Sequence, residues 1–107
     1  MSLRQNIVSQ FKRPQGTLGQ LAGLIMANRP SNIERNQWTV DLLSLKADDR
    51  LLEIGFGPGL AIAQASQLVT DGLVVGIDHS EVMLQQAKKR NAIAIANGLV
   101  EIGRAFV

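Results

Sequence analysis

Two carboxylates flank a glycine-rich turn in this chain. Glu53 stands immediately before Gly55-Phe56-Gly57-Pro58-Gly59, and Asp78 closes a short β-branched run further on. Glycines in such a turn let the backbone bend sharply and let a ligand come close to it. A carboxylate at a strand end can accept hydrogen bonds from both hydroxyls of a ribose, a bidentate contact to which its two oxygens are suited. Packing gives Asp78 little reason to be there, whereas Glu53 can cap the turn amides and face a ligand at the same time. His79, the only histidine, follows Asp78; it reads either as a surface loop residue or as a ligand contact. No nucleophile–base pair is evident, so the chemistry in reach is binding and orientation of a small ligand.

These residues need a strand before each carboxylate and a helix after each turn. Arg50–Ile54 reads as a buried strand, and Leu60–Leu68 as a helix that Pro58 can help to start. Asp71-Gly72 is a turn signal before the second strand, Leu73–Ile77. Ser80 is a candidate N-cap for a helix over Glu81–Ala96, with Val82, Met83, Ala87 and Ile93 as its apolar contacts. Asn97-Gly98 stops it, and Leu99–Ile102 begins a third strand. Strands alternating with helices predict a parallel sheet with right-handed crossovers.

The preceding part is helical in pattern. Residues 1–13 carry Ile7, Val8 and Phe11, and Pro14 and Gly16 punctuate them. Thr17 can cap a helix through Asn28. Pro30 stops that helix, with Ser31 or Asn32 as the next cap. The spacing predicts a further helix over Ile33–Leu45, burying Trp38, Leu42 and Leu45 with Asp41 outside, and then a polar turn at Lys46–Asp49. The division expected is a helical segment over 1–48 and a cofactor-binding unit over 49–107.

The 107 residues allow one small domain, and 46% apolar content is enough for a core. With no cysteine there is neither a disulfide framework nor a thiolate metal site, which suits the cytoplasm. No metal site is expected. No unbroken apolar stretch is long enough to span a membrane, and the N-terminus lacks the pattern of a secretory signal. A net charge of +2 is too small to argue for nucleic-acid binding. The cations gather in residues 1–40, where Arg4, Lys12, Arg13, Arg29 and Arg35 stand against Glu34, and a solvated basic surface is the reading preferred.

A dinucleotide fingerprint would read G-x-G-x-x-G/A. Here the third glycine comes one residue early and Leu60 stands in its place; Pro58 removes an amide, and Glu53 would repel a pyrophosphate. NAD(P) is therefore the alternative, not the first choice. LLEIGFGPG at Leu51–Gly59 with VVGIDHSEVMLQQAKKR at Val74–Arg90 instead resembles the class I S-adenosylmethionine-dependent methyltransferases, over roughly residues 36–107. Asn28–Trp38 is similar to the helical lead-in of some small-molecule members. The resemblance implies a cofactor, S-adenosyl-L-methionine, held by Glu53, Gly55, Phe56, Gly57, Gly59, Asp78, His79 and Met83. In that pattern Gly55 and Gly57 pass close to the methionine and ribose, Glu53 organises the turn and the amino end, Asp78 holds the ribose, and His79 and Met83 flank the adenine. From the residues alone, Met83 reads as helix core before adenine shelf, Phe56 is either exposed by the ligand or tucked under the helix, and Trp38 reads as core packing before substrate wall.

The fold implied is an α/β, Rossmann-like parallel sheet with a helical lead-in, incomplete at strands 1 to 3 of an expected seven. A polar adenine contact expected near the end of the third strand falls close to Phe106. The chain thus reads as the N-terminal half of a methyltransferase for a small-molecule acceptor, inactive as a fragment; a half-domain working with a separate partner chain is the other reading. Without a fourth strand, strand one becomes an open edge, and a symmetric dimer covering it is expected.

Overall fold

The computed structural model describes residues 29–105. The readings for residues 1–13, Thr17–Asn28 and Phe106 lie outside these. Within them the chain runs α1 (Pro30–Leu42), β1 (Arg50–Ile54), α2 (Leu60–Ser66), β2 (Leu73–Asp78), α3 (Glu81–Arg90), α4 (Ala92–Ala96) and β3 (Val100–Arg104). The strands form one parallel sheet in the order β1-β2-β3. This is a Rossmann-like arrangement, incomplete, as expected.

Register explains the two faces of the sheet. Leu51 pairs with Val74, Glu53 with Gly76, and Val74 and Gly76 in turn pair with Val100 and Ile102. Alternation along each strand puts these residues on one face with Asp78. The helices cover that face: α2 packs on β2, α3 on β2 and β3, α4 on β3, and α1 on α2. Ile62, Ala65, Val69, Val74, Met83, Ala87 and Val100 form the centre of the core. Gly76 is small because Ile62 and Phe56 lie over it; a Cβ there would come within 2.5 Å of Ile62 Cδ1 and 2.9 Å of Phe56 Cδ2. The opposite face carries Leu52, Ile54, Leu73, Val75 and Ile77. Among the described residues no helix covers it, and Ile54 is 76% exposed.

Three expectations are corrected. Ser31 and Asn32 do not cap the helix that follows Pro30: they lie inside α1, which Pro30 itself begins, where its lack of an N–H costs nothing. The buried stripe of α1 runs through Val40, while Trp38 is 66% exposed and Leu42 is exposed too. Each stands two residues from Val40, about 200° around a helix, so burying Val40 against the core turns both outward. The single helix over Glu81–Ala96 is two helices with a break at Asn91, whose φ of −105° and ψ of 19° leave the helical region. The break also turns Ile93 outward, 81% exposed, while Ala94 and Ile95 pack on the core in its place.

Other boundaries differ little. Helix α2 stops two residues before Leu68, and β3 runs two residues beyond Ile102. The Ser80 hydroxyl accepts the Met83 amide at 3.2 Å, capping α3 as anticipated, with Lys88, Lys89 and Arg90 in its last turn.

Candidate functional site

The glycine turn leaves the end of β1 in a conformation only glycine adopts easily. Gly55, Gly57 and Gly59 have φ of 77°, 56° and 84°. Their surroundings differ. A Cβ on Gly55 or Gly57 would meet nothing within 4 Å, so the backbone is open there to a neighbouring group. A Cβ on Gly59 would lie 2.8 Å from Ala87 Cβ and 2.9 Å from Asn91 Nδ2. Gly59 is thus a packing glycine that lets α3 abut the turn, while Gly55 and Gly57 bound open space.

Asp78 ties the turn to β2. It is only 7% exposed. Its Oδ2 accepts the Gly57 amide and its Oδ1 accepts the Ser80 amide, each at 2.9 Å. Asp78 thus has structural work as well: it joins the loops that follow β1 and β2. A carboxylate has about four acceptor positions, so these two bonds leave capacity for sugar hydroxyls. His79 Nδ1 lies 3.6 Å from Asp78 Oδ1 on a half-exposed side chain, and the His79 carbonyl accepts from Arg104 Nε at 3.0 Å.

Glu53 shares the helix-covered face with Asp78. Burial, with the Asp78 charge adding to it, pushes the Glu53 carboxyl up to about 7 from an ordinary 4.5. Between those values the folded chain holds a proton that the unfolded chain has released. Stability from this residue is then fullest below about pH 4.5 and declines as pH rises to 7. Glu53→Gln removes the charge and should melt above wild type at pH 8, with the difference shrinking towards pH 4.5. A difference independent of pH would exclude this burden.

Two predicted site residues, Phe56 and Met83, have buried side chains. Phe56 is buried under Ile62 and beside Gly76, which settles its alternatives in favour of tucking under the helix; only its backbone borders the turn. The Met83 side chain is in the core. Two residues that sequence reading passed over do meet the turn: Arg90 Nη1 donates to the Pro58 carbonyl at 2.6 Å, and Asn91 Nδ2 to the Gly59 carbonyl at 3.2 Å. Asparagine inside a predicted helix was the available signal, since it is a poor interior helix residue. Among the described residues no three acidic, histidine or cysteine side chains gather as a metal would require, and no helix is long and apolar enough to cross a membrane.

The turn with its two carboxylates can hold a ligand carrying a cation and vicinal hydroxyls. Comparison with known proteins agrees in kind. Residues 25–103 match the profile of the protein-L-isoaspartate(D-aspartate) O-methyltransferase family. An uncharacterized methyltransferase, YdaC, of Bacillus subtilis (strain 168) is 38% identical over 84 residues, which are 76% of this chain and 45% of that protein. The chain therefore spans less than half the length of this relative. Among solved structures, the O-methyltransferase TomG of Streptomyces achromogenes, involved in tomaymycin synthesis and solved in complex with SAM, superposes with a TM-score of 0.57 at 27% identity, covering 68% of this chain and 33% of TomG. A precorrin-6y C5,15-methyltransferase from Geobacter metallireducens superposes with a TM-score of 0.62 at 23% identity, over 69% of this chain and 39% of its own.

Proposed function

From the premise that this chain belongs to the protein-L-isoaspartate(D-aspartate) O-methyltransferase family, we propose that it is the S-adenosylmethionine-binding part of a methyltransferase. The observation that carries this is the pairing of open space at Gly55 and Gly57 with the carboxylates of Glu53 and Asp78. The set suits a cationic ligand with a ribose and does not suit a pyrophosphate, which two carboxylates would repel. When bound, the cofactor supplies an electrophilic methyl group on a sulfonium. Glu53, deprotonated by the neighbouring cation, would hold the amino end; Asp78 would accept from the ribose hydroxyls; the Gly55 and Gly57 backbone would lie along the methionine portion. His79 would border the adenine from its exposed position. Methyl transfer then rests on orientation more than on acid–base help.

The test is titration calorimetry with S-adenosylmethionine, its demethylated product S-adenosylhomocysteine, and NAD. Binding of the first two without NAD is expected; a preference for NAD would overturn the reading. A small-molecule acceptor is proposed, supported by the kinship to TomG. Cytoplasmic residence is proposed too, in keeping with the absence of cysteine.

The sheet's open side supports one further element of this reading. Among the described residues the outer edge of β1 has no partner strand, and Leu52 and Ile54 are exposed beside it. A second copy can cover both by laying its own β1 antiparallel across a two-fold axis, using one strand in each protomer. Sedimentation should show a dimer that Leu52→Lys dissociates. A monomer at every concentration would overturn the dimer.

A further inference from the structure

The glycine turn is gripped from two sides. On the β2 side, Asp78 Oδ2 takes the Gly57 amide at 2.9 Å. On the α3 side, Arg90 Nη1 donates to the Pro58 carbonyl at 2.6 Å, and Asn91 Nδ2 donates to the Gly59 carbonyl at 3.2 Å. We infer that Arg90 and Asn91 are positioning residues that hold the turn in its ligand-ready shape from behind. The inference rests on the turn being the cofactor site proposed above.

Asn91 is 3% exposed, and its amide also donates to the Ala87 carbonyl at 3.0 Å. One side chain thereby ends α3 and fastens the turn. This placement requires both the break between α3 and α4 and a glycine at position 59, where any Cβ would collide with Ala87 and Asn91 itself. Arg90 belongs to the exposed end of α3 and has no local need of Pro58; its bond to that carbonyl is charge-assisted and spans 32 residues. A turn with three glycines is conformationally loose unless held. Fixing the two carbonyls sets the peptide planes that follow Gly57, so the ligand meets a turn already ordered, and the ordering cost of binding is reduced.

The experiment uses the full 107-residue chain as wild type, Arg90→Met, Arg90→Lys and Asn91→Ala. Amide exchange without ligand is read first, by NMR. Exchange at Gly57 and Gly59, whose amides donate to Asp78 and to the Phe56 carbonyl, should quicken about tenfold or more in Arg90→Met and Asn91→Ala, while Val75 and Ile77 in β2 stay as in wild type. Arg90→Lys, which keeps a cationic donor, should restore much of the protection. Affinity is read second, by calorimetry. S-adenosylhomocysteine should bind about tenfold more weakly to Arg90→Met, with adenosine changed less than about twofold, because the turn serves the amino-acid end of the ligand. Unchanged exchange at the turn, or an equal rise in the turn and in β2, would overturn the inference; so would equal losses for the two ligands. If Asn91→Ala does not fold, Arg90→Met decides alone. Failure of wild type to bind S-adenosylhomocysteine would sink the functional reading, and exchange would still decide whether Arg90 and Asn91 hold the turn.

Discussion

Asp78→Ala is expected to lower affinity for S-adenosylhomocysteine by about 100-fold, equivalent to ~2.7 kcal/mol. Two losses combine. The ribose hydroxyls lose their charged acceptor, and hydrogen bonds to a charged group contribute roughly 1.5–3 kcal/mol. The Gly57 and Ser80 amides, which now donate to the carboxylate, also lose their acceptor, so the turn and the start of α3 both loosen. Stability should fall as well, and the two effects separate by measuring affinity on protein shown to be folded by circular dichroism. Fluorescence is the wrong probe for that control, because the only tryptophan, Trp38, is 66% exposed in the folded chain. Unchanged affinity in folded Asp78→Ala would exclude this residue as the ribose acceptor.

Gly59→Ala is expected to destabilise the fold by about 3 kcal/mol. A left-handed backbone costs an alanine ~1–2 kcal/mol, and forcing a methyl against packed neighbours costs another ~1–3 kcal/mol. The neighbours are Ala87 Cβ at 2.8 Å and Asn91 Nδ2 at 2.9 Å, and neither belongs to a long side chain that can swing away. For a chain of this size the melting temperature should drop by ~12 °C or more. Gly57→Ala is the informative comparison. Its φ is also positive, at 56°, yet its Cβ would stand in open space. It should melt closer to wild type but bind ligand more weakly, because its methyl occupies the room the ligand needs. Equal melting of the two variants would show that backbone strain, not packing, makes Gly59 a glycine.

The parts legible in the sequence are those fixed by local pattern. Strand β1, the glycine turn, β2 with Asp78 at its end, and the Ser80 cap all carry their instructions within a few residues. The parts misread depend on what packs from elsewhere. In α1 the rotation of the helix decides whether Val40 or the Trp38–Leu42 pair is buried, and sequence offers apolar residues on both sides. The core needs only Val40. The break at Asn91 is set by a carbonyl 32 residues earlier, which no local rule anticipates. Within the candidate site, Glu53 and Asp78 were readable as carboxylates at strand ends. Their shared face, and the proton that Glu53 retains up to about pH 7, follow only from register and burial. The resemblance that named Phe56 and Met83 as cofactor residues assigned them by position in a motif; the structure puts both side chains in the core.

The bonds that secure the turn have a temporal consequence. Gly57 is joined to a residue 21 positions later, and Pro58 and Gly59 to residues 32 positions later. Such distant contacts form late in folding, after the intervening chain has lost its freedom. During synthesis, therefore, β1 and the glycines emerge well before anything can secure them, and the turn is finished only once Asn91 has left the ribosome and α3 has docked. Any ligand that recognises the finished turn will ignore the nascent chain until that moment, and will then stabilise a structure already committed to its fold.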